Sequence, residues 1–262
     1  MRTPTERFLA LVAGSTGAVP LDEAALLLAA HGEQGLDVDA QMARLDELAA
    51  GCPDPTLDGV VELLFGRLQL RGNTDDYGDP RNSFLDQVLD RRLGIPISLS
   101  VLVMEIGRRV GLNFEGIGMP GHFLVRHVGV PAVVLDPFHG GRRVEPEEAE
   151  TLFRLIHGPA VPFSAHLLAP SPPHAILARM LFNLQNSYRR RDDGTGLAWV
   201  GRLLAGLPGV GAADVVETAR LVLHTGRFRE AAVIFESLAE RSEPAEAERL
   251  RARAALLRAR LN

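Results

Sequence analysis

Lysine is absent from this 262-residue chain: all 28 of its basic residues are arginine, so it has no lysine amine of its own to place in a cross-link. Cysteine is nearly absent too. The one thiol, Cys52, excludes an internal disulfide and fits a reducing compartment, so a cytoplasmic location is expected. No apolar run approaches the ~18 residues that a bilayer span needs. The apolar stretch from Phe8 to Ala13 is too short for a signal-peptide core, so neither a membrane association nor a secretory leader is expected. A phosphate-binding loop, a dinucleotide fingerprint and a Gly-x-Ser-x-Gly elbow are all missing, and no cofactor is expected. A net charge of −5 counts against a general nucleic-acid-binding surface. The basic run Tyr188-Arg189-Arg190-Arg191 reads as a solvated helix end whose cations complement the dipole.

What remains suits a folded chain with a substantial core, at 46% hydrophobic and 23% charged residues. Apolar spacing and turn residues predict helices over 21–30, 39–50 and 57–70, followed by a polar loop from Arg71 to Pro80 that is long for a plain connector. Ser83 and Asp86 match a capping box and predict a helix over 84–92. Pro96 fits the first turn of the next helix, which closes at Gly111. Glu105 in that helix stands at pairing distance from Arg108 and Arg109. Strands are predicted over 114–118, 122–128 and 132–136, then a tight turn through Gly140 and Gly141, a helix over 146–155 and a Pro-rich linker over 159–173. Five helices follow, over 175–190, 197–207, 212–224, 228–241 and 244–261. Asp193 to Trp199 and Gly226 to Ala232 align at an offset of about 33 residues, near the period of tetratricopeptide repeats. Two such units cannot bury their own faces and are expected to dock on the core, with Trp199 a packing residue. The predicted organisation is a helical region over 1–70, a core over 71–158, the linker over 159–173 and helical repeats over 174–262.

The strand pair carries the chemistry. His122 and Asp136 lie seven residues on either side of Gly129. A hairpin centred there pairs His122 with Asp136, Leu124 with Val134 and Arg126 with Ala132, so that imidazole and carboxylate share one face. That is two-thirds of a catalytic triad. The third member belongs at a helix N-terminus, where unpaired N–H groups and the dipole favour an anionic nucleophile. The residues there with a reactive side chain are Ser98 and Ser100. Cys52, in a Pro-rich loop more than forty residues earlier, reads as an incidental thiol. His139 either lines the site or bonds locally in its loop. Two histidines and an aspartate raise the question of a metal, but the helical pair spacing of zinc peptidases is missing and none is expected.

Four blocks carry a family resemblance: Tyr77-Gly78-Asp79-Pro80-Arg81-Asn82-Ser83-Phe84-Leu85, Gly94-Ile95-Pro96-Ile97-Ser98-Leu99-Ser100, Pro120-Gly121-His122-Phe123-Leu124-Val125-Arg126 and Leu135-Asp136-Pro137-Phe138-His139-Gly140-Gly141. In this order they resemble the bacterial SirB-type family, which joins a transglutaminase-like domain to tetratricopeptide repeats. The resemblance implies an α+β fold: a helical N-terminal region, a papain/transglutaminase-like core with helices on a small antiparallel sheet, and an all-α C-terminal region. It implies Ser98, His122 and Asp136 at the triad-equivalent positions, with the nucleophilic cysteine of the superfamily missing. Counting back from Arg108-Arg109-Val110-Gly111 lands on Pro96, Ile97 or Ser98. Tyr77, Arg81, Asn82, Ser83 and His139 are expected to line the cleft, with Arg81 bound either to Asp79 or Asp86 or to a ligand carboxylate. Three functions are open: a non-catalytic module that holds a peptide or protein partner, an acyl-transfer enzyme using Ser98-His122-Asp136, and a structural adaptor whose helical repeats alone bind. A serine hydroxyl, unlike a thiol, needs a base hydrogen-bonded to it in the attacking geometry, which favours the first.

Overall fold

The computed structural model describes residues 2–14, 19–129 and 132–260; Val130 and Pro131 of the expected hairpin turn lie outside them. Contacts divide the chain into two units, one of Met1–Val19 with Leu177–Asn262 and the other of Pro20–Ile176. Thr3 opens α1 (Pro4–Ala13) through a capping box with Glu6. This helix belongs to the first unit. The predicted helical region over 1–70 therefore falls in both.

The second unit begins with α2 (Leu21–Gly32) and α3 (Val38–Ala50), the latter capped by the Asp37 carboxylate on the N–H groups of Asp39 and Ala40. The helix expected over 57–70 starts as α4 (Leu57–Val61) and then widens into a π-helical turn, Glu62–Arg67, where the Leu68 N–H bonds to the Leu63 carbonyl. Strand β1 (Arg71–Gly72) follows. The Ser83/Asp86 capping box does not form. Asp79 instead caps a 3-10 turn over Pro80–Ser83, and the extended Phe84 separates that turn from α5 (Leu85–Arg91). Phe84 is itself buried, its ring lying where a Cβ at Gly32 of α2 would be.

Strand β2 (Leu93–Gly94) pairs in parallel with β1 and delivers the chain to α6 (Pro96–Arg109). Leu99, Val101, Leu102, Val103 and Ile106 of α6 are all 0% exposed, so this helix is the centre of the unit. At Gly107 the Phe114 ring occupies the space that a Cβ would fill, which seats α6 closely on the first strand of the sheet. That sheet runs in the order β3 (Phe114–Ile117), β4 (Leu124–His127), β5 (Val133–Asp136), β6 (Arg142–Val144), antiparallel throughout. Ile117, Leu124, Val144 and Ala149 form a buried cluster over it. Strand β6 was missed in the sequence. Gly140 and Gly141, at φ 75° and 71°, turn the chain back sharply enough for Arg142 to pair with Asp136.

Helix α7 (Pro146–His157) precedes the Pro-rich segment, which is anchored rather than free. The Ser171 N–H donates to the Gly116 carbonyl at 2.8 Å and the Ser171 hydroxyl accepts from the Gly118 N–H at 3.1 Å, covering the open edge of β3. Within this unit α2 and α6 are tied by ions. Asp22, 1% exposed, accepts from both Arg108 and Arg109 at 2.8 Å, and Glu105 pairs with the same two arginines at 2.9 and 3.2 Å. The first unit is completed by α8 (Pro173–Arg190), whose first residues belong to the core unit, and by α9 (Gly194–Gly206), α10 (Ala212–His224), α11 (Phe228–Ala239) and α12 (Pro244–Ala259). Trp199 packs edge-on against Tyr188 at 5.8 Å. The fold is thus α+β in one unit and all-α in the other.

Candidate functional site

Asp136 ends β5 and caps the 3-10 turn Pro137–His139, its carboxylate accepting the N–H groups of Phe138 and His139 at 3.2 and 3.3 Å. Proline at the first position of this turn, followed by two glycines, makes the chain reverse there and leaves Asp136 0% exposed at the sheet end. Two imidazoles meet the carboxylate. His122 Nε2 lies 3.0 Å from Oδ1 and His139 Nδ1 lies 2.7 Å from Oδ2, while Arg142 Nε stands 3.9 Å away. Burial acts to raise the Asp136 carboxyl, but the bonds from His122 and His139 outweigh it and hold the group below its ordinary value. It is therefore an ionised acceptor at neutral pH.

The route by which His122 arrives differs from the expected one. Strand β4 pairs Val125 with Leu135, Arg126 with Val134 and His127 with Val133, a register two residues away from the predicted hairpin. His122 consequently lies two residues before β4, in a turn closed by its own N–H on the Met119 carbonyl. A slip of one residue would have turned Asp136 to the other face, whereas a slip of two preserves the face and leaves the side chains within diagonal reach.

His122 and His139 open onto a cavity of about 360 Å³, which Thr74, Tyr77, Pro96, Phe138, Leu152 and Ile156 also line. Its walls come from the polar loop before the 3-10 turn, the start of α6, the Asp136 turn and α7. Phe138 stands edge-on to His122 at 6.2 Å and to Tyr77 at 6.1 Å. Gly72 of β1 lets that ring approach: a Cβ there would lie 2.5 Å from it.

The start of α6 presents Pro96, not a serine, to this cavity. Ser98 is 0% exposed, and its hydroxyl is engaged by the main chain: it accepts the Ile95 N–H at 3.1 Å and lies 2.6 Å from the Asn82 carbonyl and 3.1 Å from the Ile95 carbonyl. Neither Ser98 nor Ser100 lines the cavity. Ser100 is also 0% exposed, and its hydroxyl has no hydrogen-bond partner among the described residues. The third residue of an α-helix follows the first by about 200°, so Pro96 and Ser98 face different ways. Cys52 sits apart, half-buried in the loop after α3, with its thiol donating to the Asp54 carbonyl.

Of the residues expected to line the cleft, Tyr77 and His139 do so, whereas Arg81, Asn82 and Ser83 are not among its lining residues. Asn82, 0% exposed, bonds through its side chain to Asn73, Arg91 and the Asp76 carbonyl, and through its main chain to Ser98. It thereby orders the loop that carries Thr74 and Tyr77. Arg81 pairs with Asp79 at 2.7 Å, and Arg91 joins them at 3.2 Å. Burial acts to raise the Asp79 carboxyl, yet the Arg81 bond holds it below its ordinary value. Sequence reading missed Phe138, Arg142 and the α7 pair Leu152 and Ile156. The four-residue spacing of that pair was the available signal.

Chemically, His122 and Asp136 form an oriented base, and the hydroxyls lining the cavity belong to Thr74 and Tyr77 on the loop rather than to a helix start. A family model described as the transglutaminase-like superfamily matches residues 31–182. A UPF0162 protein of Xylella fastidiosa (strain Temecula1) is 46% identical over 137 residues, 51% of this chain and 49% of that protein, so the chain spans about half the length of this relative. A UPF0162 protein of Pseudomonas aeruginosa is 33% identical over 204 residues, 74% of each chain. F-box only protein 21 of Homo sapiens is 41% identical over 83 residues, 31% of this chain and 13% of that protein. No solved structure matches. On the extent of these matches, the chain belongs to the transglutaminase-like superfamily and stands with its UPF0162 proteins.

Proposed function

We propose that this protein is a non-catalytic member of its superfamily, a binding or regulatory module whose cavity holds an apolar segment of a peptide or protein partner. The observation that carries this reading is the start of α6, where Pro96 faces the cavity beside His122 while the Ser98 hydroxyl is buried and bonded to main chain. An acyl-transfer site needs its nucleophile within hydrogen-bond reach of the base. The lining supplies the alternative use: Tyr77 and Ile156 are 45% and 43% exposed, an apolar surface beside the two imidazoles. On this reading α8 to α12 are tetratricopeptide-like helices of a SirB-type protein that add a second partner surface. The single cysteine suits a cytoplasmic setting. Among the described residues, no helix is long and apolar enough to cross a membrane.

One observation favours the competing enzyme reading with Ser98, His122 and Asp136, namely the intact 3.0 Å contact between imidazole and carboxylate. Incubation with a serine-reactive fluorophosphonate, and separately with glutaminyl peptides and an amine, separates the two. The expected result is neither labelling nor turnover. Covalent labelling at Ser98 that disappears in His122→Ala would establish the enzyme reading instead. For the binding role, Tyr77→Asp and Ile156→Asp should abolish capture of apolar peptides from a peptide array while leaving the far-UV spectrum unchanged.

A further inference from the structure

His122, Asp136 and His139 bring two imidazole nitrogens and a carboxylate oxygen within 4.8 Å of one another. We propose that these three residues bind a divalent first-row transition-metal ion, of the zinc, cobalt or nickel kind, beside the cavity. The inference goes beyond the partner-binding reading and stands independently of it, because the ion is measured alone.

The donor set selects the class of ion. Two imidazoles and one carboxylate suit zinc and its neighbours, whereas calcium and magnesium take oxygen ligands throughout. The geometry is arranged around the carboxylate. Asp136 is 0% exposed and is fixed by the N–H groups of Phe138 and His139, so its oxygens are oriented before any ion arrives. Each ring already turns a nitrogen to it, His122 toward Oδ1 and His139 toward Oδ2. In a neutral imidazole the single ring proton moves to the far nitrogen when the near one takes the metal, so no proton need leave the site.

Burial divides the labour. The side chain of His122 is 6% exposed and serves as a fixed ligand, whereas that of His139 is 50% exposed and is free to swing until both nitrogens reach coordination distance. Both histidines line the cavity, so the remaining coordination positions face it and are open to water or to an oxygen of a bound peptide. The nearby cation is movable. Arg142 is 43% exposed and has a second partner in Glu148 at 3.3 Å, to which it can withdraw when an ion takes its place near Asp136. Sequence spacing concealed this arrangement because Asp136 and His139 share one 3-10 turn while His122 enters from the far side of the sheet turn.

The test uses the full chain stripped with a chelator. Zinc is titrated by calorimetry and cobalt by visible absorbance, into the wild type, His139→Ala, Arg142→Gln and, as a surface-histidine control, His166→Ala. Saturable binding of one ion per chain is expected, with visible cobalt bands of a histidine-containing site. His139→Ala should weaken binding by at least about tenfold. His166→Ala should bind as the wild type does, and Arg142→Gln should bind more tightly, because one repelling charge is gone. His139 is half-exposed, and far-UV circular dichroism of each variant checks that the fold is kept. Absence of saturable binding in the wild type, or equal affinity in His139→Ala, overturns the proposal.

Discussion

Replacing Ser98 by alanine tests whether its hydroxyl belongs to the framework or to chemistry. The hydroxyl accepts the Ile95 N–H at 3.1 Å and is 2.6 Å from the Asn82 carbonyl, and all the groups involved are buried. Ser98→Ala therefore leaves one main-chain donor and one main-chain acceptor unsatisfied. Each such loss costs about 1–3 kcal/mol. The vacated space is smaller than a water molecule, so solvent does not replace the bond. A sum of about 2–6 kcal/mol is expected, and at about 2–4 °C per kcal/mol for a chain of this size the melting midpoint should fall by roughly 4–24 °C. Circular dichroism melts and urea titrations of the wild type and the variant measure this directly, with an unchanged urea slope as the check that the denatured state is the same. A nucleophilic serine poised in an open cleft behaves oppositely, since its removal abolishes turnover and leaves stability nearly untouched. A stability change under about 0.5 kcal/mol would refute the assignment of the hydroxyl to the main chain.

Three further outcomes follow from the same geometry. Pro96→Cys should place a thiol beside His122 at a helix start, and iodoacetamide should alkylate it faster than Cys52 at pH 6.5, with the advantage lost on adding His122→Ala; equal rates would mean that residue 96 does not face the imidazole. Gly72→Ala puts a Cβ 2.5 Å from the Phe138 ring and should cost about 1–3 kcal/mol in thermal melts, whereas a neutral result would show that β1 does not support the Asp136 turn. Arg109→Met removes one of the two cations at Asp22 and Glu105, leaving Arg108 at 2.8 and 2.9 Å, and should destabilise the chain by about 1–3 kcal/mol at pH 7. Its effect should shrink on acidification. With the arginine gone Glu105, already raised, is raised further, so its contribution is fullest at low pH and declines as pH rises through the raised value. In the wild type, burial and the nearby Asp22 charge raise Glu105 despite its arginines, while Asp22, opposed by burial, is lowered by the Glu23 N–H and Arg109. A variant with the same pH profile as the wild type would rule out this coupling.

Most of the helices were readable because their signals are local: Pro96 at a first turn and Gly111 just past the end of α6. The misreadings occurred where a distant partner decided. Ser83 and Asp86 have the spacing of a capping box, but Phe84 is drawn into the core between them and the box never closes. The sequence from Pro137 to Arg142 looks like a bare turn, and only the presence of β5 makes its last residue a strand. The Pro-rich stretch reads as a linker because its composition carries no hint that Ser171 will cover the edge of β3.

The site shows the same division. That His122 and Asp136 share a face depends on parity alone, and parity survives a two-residue slip of register, so their meeting was predictable even though the hairpin was placed wrongly. Which residue of the Pro96-Ile97-Ser98 run faces His122 depends on a rotation of about 100° per residue. A shift of two positions there exchanges a nucleophile for an inert ring. Side-chain chemistry suggested Ser98, because it was the reactive member of the three. Helix geometry selects Pro96, and the serine is drawn inward by the carbonyl of Asn82, a residue whose own position is set by the loop nine residues before it. On the proposed non-catalytic reading, the hydroxyl nearest the helix start is committed to holding the loop that walls the cavity, and catalysis at Ser98 would require giving up the wall that shapes the site.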